Sequence, residues 1–166
     1  FGGAFYAFVD VAQLDLDCKP EYQNQLIETG MKIKHAIMDS VEMVHPLEPD
    51  MNFLYGTIFT SVSKDPNHHS RNVCIFAEGE VDRSPTGTGV SARAAILHAK
   101  GKIKVSESII IESIIGSTFS VKVVATTTFG HYDAVIPEVS GNAYITGKNI
   151  FWINREDPLK DGFILR

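Results

Sequence analysis

Residues 84–101 of this 166-residue chain read SPTGTGVSARAAILHAKG, and the alanine-rich part of that stretch decides the fold. From roughly Gly89 to Ala99 the residues are almost all apolar or small, and Gly101 then supplies a glycine stop. A helix that is apolar nearly all round is a buried helix, and small alanines let strands pack closely around it. The pattern therefore predicts a buried helix, with residues 84–89 at its mouth.

The rest of the chain predicts one long helix and several strands. The aromatic-rich stretch from Ala4 to Val11 is typical of a strand, and Pro20 suits the first turn of a helix. Between Glu21 and Val44, apolar residues at helical spacing form one face of an amphipathic helix: Leu26, Ile33, Ile37, Val41 and Val44. The strand-like segments that follow are FLYGTIFTSV, NVCIFAEGEV, SIIIESIIGS, FSVKVVATTTF, YDAVIPEV and NAYITGKNIFWI. Together these elements predict an α+β domain with a mostly antiparallel sheet.

Composition and charge narrow the classes of function. A chain of this length that is 44% hydrophobic and 21% charged can bury the core of one domain. A net charge of -5 without a Lys/Arg cluster argues against nucleic acid as a partner. No apolar run approaches the roughly 20 residues of a membrane span. Two cysteines are too few for a secreted disulfide scaffold, so we expect a cytoplasmic protein with no membrane partner.

The mouth of the predicted helix carries groups that suit an anion. The first turn of a helix has unpaired backbone N–H groups and a partial positive charge. The two glycines of the GTG sequence let a ligand approach the backbone, and the hydroxyls of Thr86, Thr88 and Ser91 add donors. The alternative is structural: Ser84 or Thr86 caps the helix, and the glycines only permit the turn. Spacing alone leaves both interpretations open, because GTG is a weak motif by itself.

Asp82, just before this mouth, also has two interpretations. An aspartate before a helix commonly closes a turn by accepting hydrogen bonds from nearby backbone N–H groups. The same carboxylate is equally suited to face a cationic group of a ligand in the pocket.

The histidines and cysteines predict no further chemistry. The six histidines show no ligand-type spacing with a cysteine or a carboxylate, so we expect no metal site. Cys74 lies in a strand-like segment and is predicted to be a small core residue. The chain therefore has no evident nucleophile or base of its own.

A longer pattern around these residues resembles a known family. The stretch EGEVDRSPTGTGVSARAA, residues 78–95, closely resembles the active-site signature of the proline racemase family. That family includes hydroxyproline epimerases and trans-3-hydroxy-L-proline dehydratases. The resemblance continues in GGAFYAFVD, LYGTIF, ESIIGSTF, IPEVSGNAYITG and DPLKDGFIL, and so covers nearly the whole chain.

The resemblance implies a fold like that of diaminopimelate epimerase. Such proteins have two related α+β domains, each a curved sheet wrapped around a central apolar helix, with the active site in the cleft between them. The Cys-Gly-His motif of the first domain is absent here, and the chain opens on FGGAFYAF without an initiator Met. We therefore interpret residues 1–166 as the second, C-terminal domain of a two-domain enzyme. Residues 155–166 are expected to pack on the first domain, and the isolated chain is expected to be inactive.

Thr86 decides which reaction the resemblance implies. Family members that racemise or epimerise carry cysteine at this position, where one thiolate removes the Cα proton and a second thiol protonates the opposite face. A threonine hydroxyl is a far weaker acid, and threonine-containing members resemble the trans-3-hydroxy-L-proline dehydratases. The implied reaction is loss of the Cα proton to a first-domain cysteine and of the 3-hydroxyl as water, giving 1-pyrroline-2-carboxylate. Thr86 would hydrogen-bond the leaving hydroxyl or help to protonate it.

The resemblance also implies the remaining site residues and partners. The backbone N–H groups of Gly87, Thr88 and Gly89 would hold the substrate carboxylate, Asp82 would contact the ring amine, and Phe76 would line the apolar wall. Neither a metal nor an organic cofactor is implied. The expected partners are the imino acid substrate, the first domain and a second copy in a homodimer. The alternatives are a proline racemase or hydroxyproline epimerase that uses another acid, and an amino-acid-binding domain without catalysis.

Overall fold

The computed structural model describes residues 1–163, which form one curled, mixed sheet and two helices. The helices are α1 (Gln23–Ser40) and α2 (Gly87–Ala99). The strands are β1 (Phe5–Asp10), β2 (Leu54–Ser61), β3 (Ser70–Phe76), β4 (Glu80–Val81), β5 (Ser108–Glu112), β6 (Thr118–Phe129) and β7 (Tyr132–Gly141). The strand order is β1-β2-β3-β5-β6-β7, with the short β4 paired to β3. The pairs β1–β2 and β3–β5 are parallel, and the other pairs are antiparallel.

Helix α2 lies against one face of the sheet. At one side, the Arg93 guanidinium lies over the Phe8 ring of β1, and a Cβ at Gly89 would meet Ile58 of β2 at 2.4 Å. Further along, the helix packs into a core formed with β5 and β6, whose buried members are Val90, Ala94, Leu97, Ile103, Ile109, Ile111, Val121 and Val123. No residue from Gly89 to His98 is exposed, because the sheet curls around the helix.

Helix α1 covers the opposite face of β2 and β3. Its close approach is at Gly30, where a Cβ would lie 2.8 Å from Ile75 Cγ1 and where the Thr57 hydroxyl donates to the backbone carbonyl at 2.9 Å. The buried core on this side includes Leu26, Phe59, Val73 and Ile75. Because side chains alternate along a strand, the residues of β3 that flank Val73 and Ile75 face the side on which α2 lies. These residues are Asn72, Cys74 and Phe76.

The predicted fold class is confirmed: the chain is α+β, with a curved, mostly antiparallel sheet around an apolar helix. The strand predicted over Ala4–Val11 is β1, and the apolar helix begins at Gly87, two residues before its predicted start. Among residues 1–163, neither helix is long and apolar enough to cross a membrane.

The long helix is shorter than its apolar pattern predicts. A 3-10 turn covers Pro20–Tyr22, α1 begins at Gln23, and it ends at Ser40 instead of Val44. Val41 is already extended, and the side chains of Val41 and Val44 are 51% and 53% exposed. Their apolar spacing continues that of the helix, but nothing in the described chain buries them, so a longer helix would gain no burial there.

The prediction of a strand in NAYITGKNIFWI is wrong. Residues 142–153 form no regular structure, and every side chain from residue 141 to 163 is exposed. A strand needs a neighbouring strand for its backbone hydrogen bonds, and the described chain offers none to this segment. Residues 155–166 are predicted to pack on another domain. Residues 155–163 are exposed in this chain, and residues 164–166 lie outside the described part, so this packing stays a prediction.

Candidate active site

The loop between β4 and α2 folds around the carboxylate of Asp82. Asp82 Oδ1 accepts a hydrogen bond from the Ser84 backbone N–H at 2.8 Å, and Oδ2 accepts one from the Thr86 hydroxyl at 2.8 Å. The Ser84 hydroxyl in turn accepts the Thr86 backbone N–H at 3.0 Å. One aspartate therefore closes the turn and holds the threonine side chain in a single orientation.

Thr86 stands at the N-cap position of α2 but does not cap it. Its side chain makes no capping hydrogen bond, since its hydroxyl proton is directed to Asp82. Its φ is +69°, in a region that a β-branched residue rarely occupies, and the residue is only 6% exposed. Neither Ser84 nor Thr86 therefore caps α2 with its side chain. The surrounding hydrogen bonds hold Thr86 in a strained backbone conformation.

The first turn of α2 leaves backbone donors free. Within residues 1–163, neither a side chain nor a backbone carbonyl outside the helix accepts the N–H groups of Gly87, Thr88 and Gly89. A Cβ at Gly87 would meet nothing within 4 Å, so the backbone there is open to a ligand. Gly89, two residues on in the same turn, is buried against Ile58. This turn presents unpaired donors and the positive end of the helix dipole.

A pocket of about 490 Å³ opens at this mouth. That volume is within the range typical of small-molecule sites, roughly 300–1,000 Å³. Its polar side consists of Asp82, Thr86, Gly87 and Thr88. The structure therefore brings four of the six predicted site residues to one pocket wall.

The pocket lining also includes aromatic side chains. Phe76 lines the pocket and stacks on Tyr55 with ring centroids 5.6 Å apart and planes at 12°. Tyr6 also lines the pocket, and its hydroxyl lies 2.6 Å from the Thr88 hydroxyl. Gly89 does not line the pocket, because it is buried against Ile58 on the inner side of the first turn. The pocket thus offers both polar groups and aromatic surface to a ligand.

Two residues that the sequence patterns did not assign to the site, Tyr6 and Cys74, contact its threonines. Burial raises the pKa of Tyr6 to about 12, against the effect of its hydrogen bond with Thr88, so the phenol keeps its proton at neutral pH. Burial likewise raises the pKa of the Cys74 thiol to about 12, although a hydrogen bond with Thr86 acts in the opposite direction. Cys74 is a fully buried core residue, as predicted, and it also lies behind Thr86. Their only sequence signal is the alternation that turns Tyr6, Cys74 and Phe76 to the same face of the sheet.

The charge of Asp82 is not neutralised by the protein. Within the described residues, no lysine, arginine or histidine side chain lies within 4 Å of its carboxylate. Its hydrogen-bond donors are one amide and one hydroxyl, both neutral. The pocket wall thus combines one uncompensated carboxylate with a set of free N–H donors, which suits a ligand that carries both a cation and an anion.

Residues 1–163 contain no group of three or more His, Cys, Asp and Glu side chains arranged to hold a metal ion. The donors at the mouth are hydroxyls, amides and a single carboxylate, which together do not form a metal-binding set.

Comparison with known proteins identifies the family of the chain. The family model described as "Proline racemase" matches residues 1–164. The trans-3-hydroxy-L-proline dehydratase of Colwellia psychrerythraea is 55% identical over all 166 residues, and the proline racemase of Clostridioides difficile is 42% identical over the whole chain. These matches cover 47% and 50% of the two relatives, so the chain spans about half their length.

A solved structure gives the same result for the fold. The hydroxyproline epimerase of Agrobacterium vitis, determined with bound trans-4-hydroxy-L-proline, superposes with a TM-score of 0.85 at 40% identity. The superposition covers 99% of this chain and 47% of the epimerase. On the family match along its whole described length and on this likeness of fold, the chain belongs to the proline racemase family.

Proposed function

We propose that this chain forms one half of a cofactor-independent trans-3-hydroxy-L-proline dehydratase, a hydro-lyase that produces 1-pyrroline-2-carboxylate. The observation that carries the proposal is Thr86, whose hydroxyl lines the pocket at the helix mouth. Thr86 occupies the position at which racemisation would need a thiol to return a proton to Cα. The name of the 55% identical relative from Colwellia psychrerythraea supports the same reaction.

The pocket wall suggests how the substrate is bound. Its carboxylate is placed on the free N–H groups of Gly87, Thr88 and Gly89 at the positive end of α2. Its ring amine, a cation at neutral pH, is placed against the uncompensated carboxylate of Asp82. The pyrrolidine ring then lies against Phe76. Every charge of the substrate meets an opposite charge or a donor, and its apolar surface meets an aromatic one.

The placement leaves Thr86 beside the reacting carbons. A base on the other half of the protein removes the Cα proton, and the C3–O bond breaks as the Cα=C3 double bond forms. The product enamine tautomerises to the pyrroline. Thr86 does not replace the thiol that returns a proton to Cα in racemisation, because a threonine hydroxyl is a far weaker acid than a thiol.

Residues 1–166 are proposed to be the second domain of the enzyme. The chain matches about half the length of its relatives, and its exposed segment after residue 141 carries apolar side chains. Tyr144, Ile145, Phe151 and Trp152 are each at least 86% exposed, which suits packing on another domain. The isolated chain is expected to show no turnover, since it lacks the base.

The test is to give the full-length protein trans-3-hydroxy-L-proline, trans-4-hydroxy-L-proline and L-proline in separate assays. The proposal predicts pyrroline carboxylate from the first substrate and no racemisation of the other two. Racemised proline without any pyrroline product would refute it. Dehydration by purified residues 1–166 would contradict the proposed division between two domains.

An epimerase or racemase is the second candidate. It is favoured by relatives of those names, including a 3-hydroxyproline 2-epimerase of Burkholderia multivorans at 40% identity. Incorporation of deuterium at Cα from heavy water, with the hydroxyl retained, would support this candidate. An amino-acid-binding domain without catalysis would instead bind the imino acid and exchange no proton.

A further inference from the structure

The hydrogen bond between Thr86 and Asp82 has a direction that matters for chemistry. The Thr86 hydroxyl has one proton, and it is donated to Asp82 Oδ2 at 2.8 Å. Asp82 Oδ1 is occupied by the Ser84 N–H at 2.8 Å, so the carboxylate cannot rotate without losing both bonds. In this state Thr86 can only accept a hydrogen bond from a ligand.

Within the described residues, the protein side of Thr86 is closed to water. Thr86 is 6% exposed, and behind it Cys74 and Pro85 are fully buried. Water therefore cannot approach the hydroxyl from within the domain. Among the described residues of the pocket wall, the carboxylate of Asp82 is the ionisable group that is hydrogen-bonded to Thr86.

We propose that Asp82 and Thr86 form a proton relay that carries a proton from the ring nitrogen of the substrate to the leaving hydroxyl. This inference rests on the proposed dehydration and on the placement of the ring ammonium against Asp82. The relay makes Thr86 a catalytic residue that protonates the leaving group, and it gives Asp82 a second role besides binding.

The step balances in atoms and charge. The base on the other half takes the Cα proton, the C–H electron pair forms the Cα=C3 bond, and the C3–O pair leaves with oxygen. Asp82 Oδ2 takes one N–H proton of the ring ammonium and passes it to the Thr86 hydroxyl oxygen, while Thr86 gives its own hydroxyl proton to the departing oxygen. The products are water and an enamine whose nitrogen is uncharged and which keeps its carboxylate, and Asp82 ends ionised again. No proton from solvent is consumed.

The experiment changes the leaving group in the full-length enzyme. Elimination of chloride from trans-3-chloro-L-proline gives the same enamine but needs no proton on the leaving atom. Thr86→Val keeps the shape of the side chain and removes the hydroxyl, whereas Thr86→Ser keeps the hydroxyl. Elimination rates for the hydroxyl and chloride substrates are measured for all three proteins, and Thr127→Val, at an exposed position of β6 outside the pocket, serves as the matched control.

We expect Thr86→Val to lower the hydroxyl rate at least a hundredfold relative to the chloride rate, since general acid catalysis contributes about 10²–10⁴-fold. Thr86→Ser and Thr127→Val should keep the ratio of the two rates close to that of the wild type. A Thr86→Val enzyme that loses both eliminations equally, or neither, would overturn the relay. If the wild type eliminates chloride but forms no pyrroline from the hydroxyl substrate, the proposed function itself fails. Wild-type dehydration with an unchanged ratio in Thr86→Val overturns the relay alone.

Discussion

Two carboxylates in this molecule, Asp82 and Glu112, are both held by hydrogen bonds but have opposite surroundings. Glu112 is 5% exposed and accepts hydrogen bonds from Ser63 at 2.7 Å and from Arg71 Nε and Nη2 at 3.1 and 2.6 Å. His68 Nδ1 lies 2.7 Å from Glu112 Oε1, the same oxygen that accepts the Ser63 hydroxyl. Asp82 has only neutral donors and lines a pocket.

The difference separates a structural carboxylate from a binding one. Burial acts to raise the pKa of Glu112, but the hydrogen bonds of His68, Ser63 and Arg71 outweigh it and lower the pKa to about 2. Its charge is fully compensated inside the protein, so it has nothing to offer a ligand. The charge of Asp82 has no partner in the described chain, which leaves it available to a cation that enters the pocket.

The largest effect should come from removing the charge at the pocket. Asp82→Asn keeps an oxygen for the Ser84 N–H but removes the negative charge that would hold the ring ammonium. We expect kcat/KM of the full-length enzyme to fall roughly thousandfold, within the range for a lost partner of a buried charge pair. The urea midpoint should change little. Glu78→Gln, an exposed neighbour in the β3–β4 turn, is the control, and equal activity of the two variants would contradict the role of Asp82.

At Glu112 the same kind of change should act on stability instead. Glu112→Gln leaves the buried guanidinium of Arg71 without its counter-charge, which costs about 3–5 kcal/mol. Activity per folded molecule should persist, because Arg71 and Phe76 lie at opposite ends of β3, about 16 Å apart along a strand. The free energy of unfolding from urea titration measures the effect. Glu138→Gln, which removes the exposed ion pair with Lys122, should cost less than about 1 kcal/mol.

The pH dependence of stability follows from the same cluster. The pKa of Glu112 is lowered from its usual 4.5 to about 2 in the folded chain, so its contribution is fully present above about pH 4.5. That contribution is lost as the pH falls from 4.5 towards 2. Acid titration of the wild type should therefore show a decline of unfolding free energy in this window. The decline should be shallower in Glu112→Gln, and parallel curves for both proteins would rule out this origin.

Thr86→Cys tests which reaction the pocket wall supports. A thiol has a pKa near the operating range and can protonate Cα, whereas its S–H is a weak donor to Asp82. We expect epimerisation at Cα to appear and dehydration to fall roughly a hundredfold. Because Cys74 lies behind this position, the assay is run under reducing conditions and repeated with Cys74→Ala added. Unchanged dehydration kinetics would mean that Thr86 has only a structural role.

The two glycines of the GTG sequence should respond differently to one added methyl group. At Gly89 the new Cβ would lie 2.4 Å from Ile58 Cδ1, so Gly89→Ala should lower the unfolding free energy by about 1–3 kcal/mol. At Gly87 the new Cβ meets nothing within 4 Å but enters the pocket, so Gly87→Ala should raise KM severalfold without loss of stability. Thermal unfolding and steady-state kinetics of both variants distinguish these effects. Identical behaviour of the two would contradict the described first turn of α2.

Much of the fold could be predicted from the sequence because its signals are local. The apolar run that starts at Val90 indicates burial wherever the helix lies, and β1, β6 and β7 follow from β-rich segments between glycine turns. The errors concern segments whose structure depends on their neighbours. The apolar side chains of residues 142–153 and of Val41 and Val44 are suited to burial, but the described chain provides no surface to bury them.

The candidate site was predictable only in part, for a similar reason. Asp82 and Thr86 stand four residues apart, so a short motif contains both. Tyr6 contacts Thr88 across 82 residues of chain, and Cys74 reaches Thr86 only because β3 lies beneath the loop. No local pattern encodes these contacts. The orientation of the Thr86 hydroxyl, which decides whether it caps the helix or faces Asp82, also depends on the folded loop.

The most direct test of the account is a proton NMR spectrum of the full-length enzyme with trans-3-hydroxy-L-proline in heavy water. The account predicts the resonances of 1-pyrroline-2-carboxylate, formed with loss of the 3-hydroxyl. The contradicting result is cis-3-hydroxy-D-proline, deuterated at Cα and still carrying its hydroxyl group.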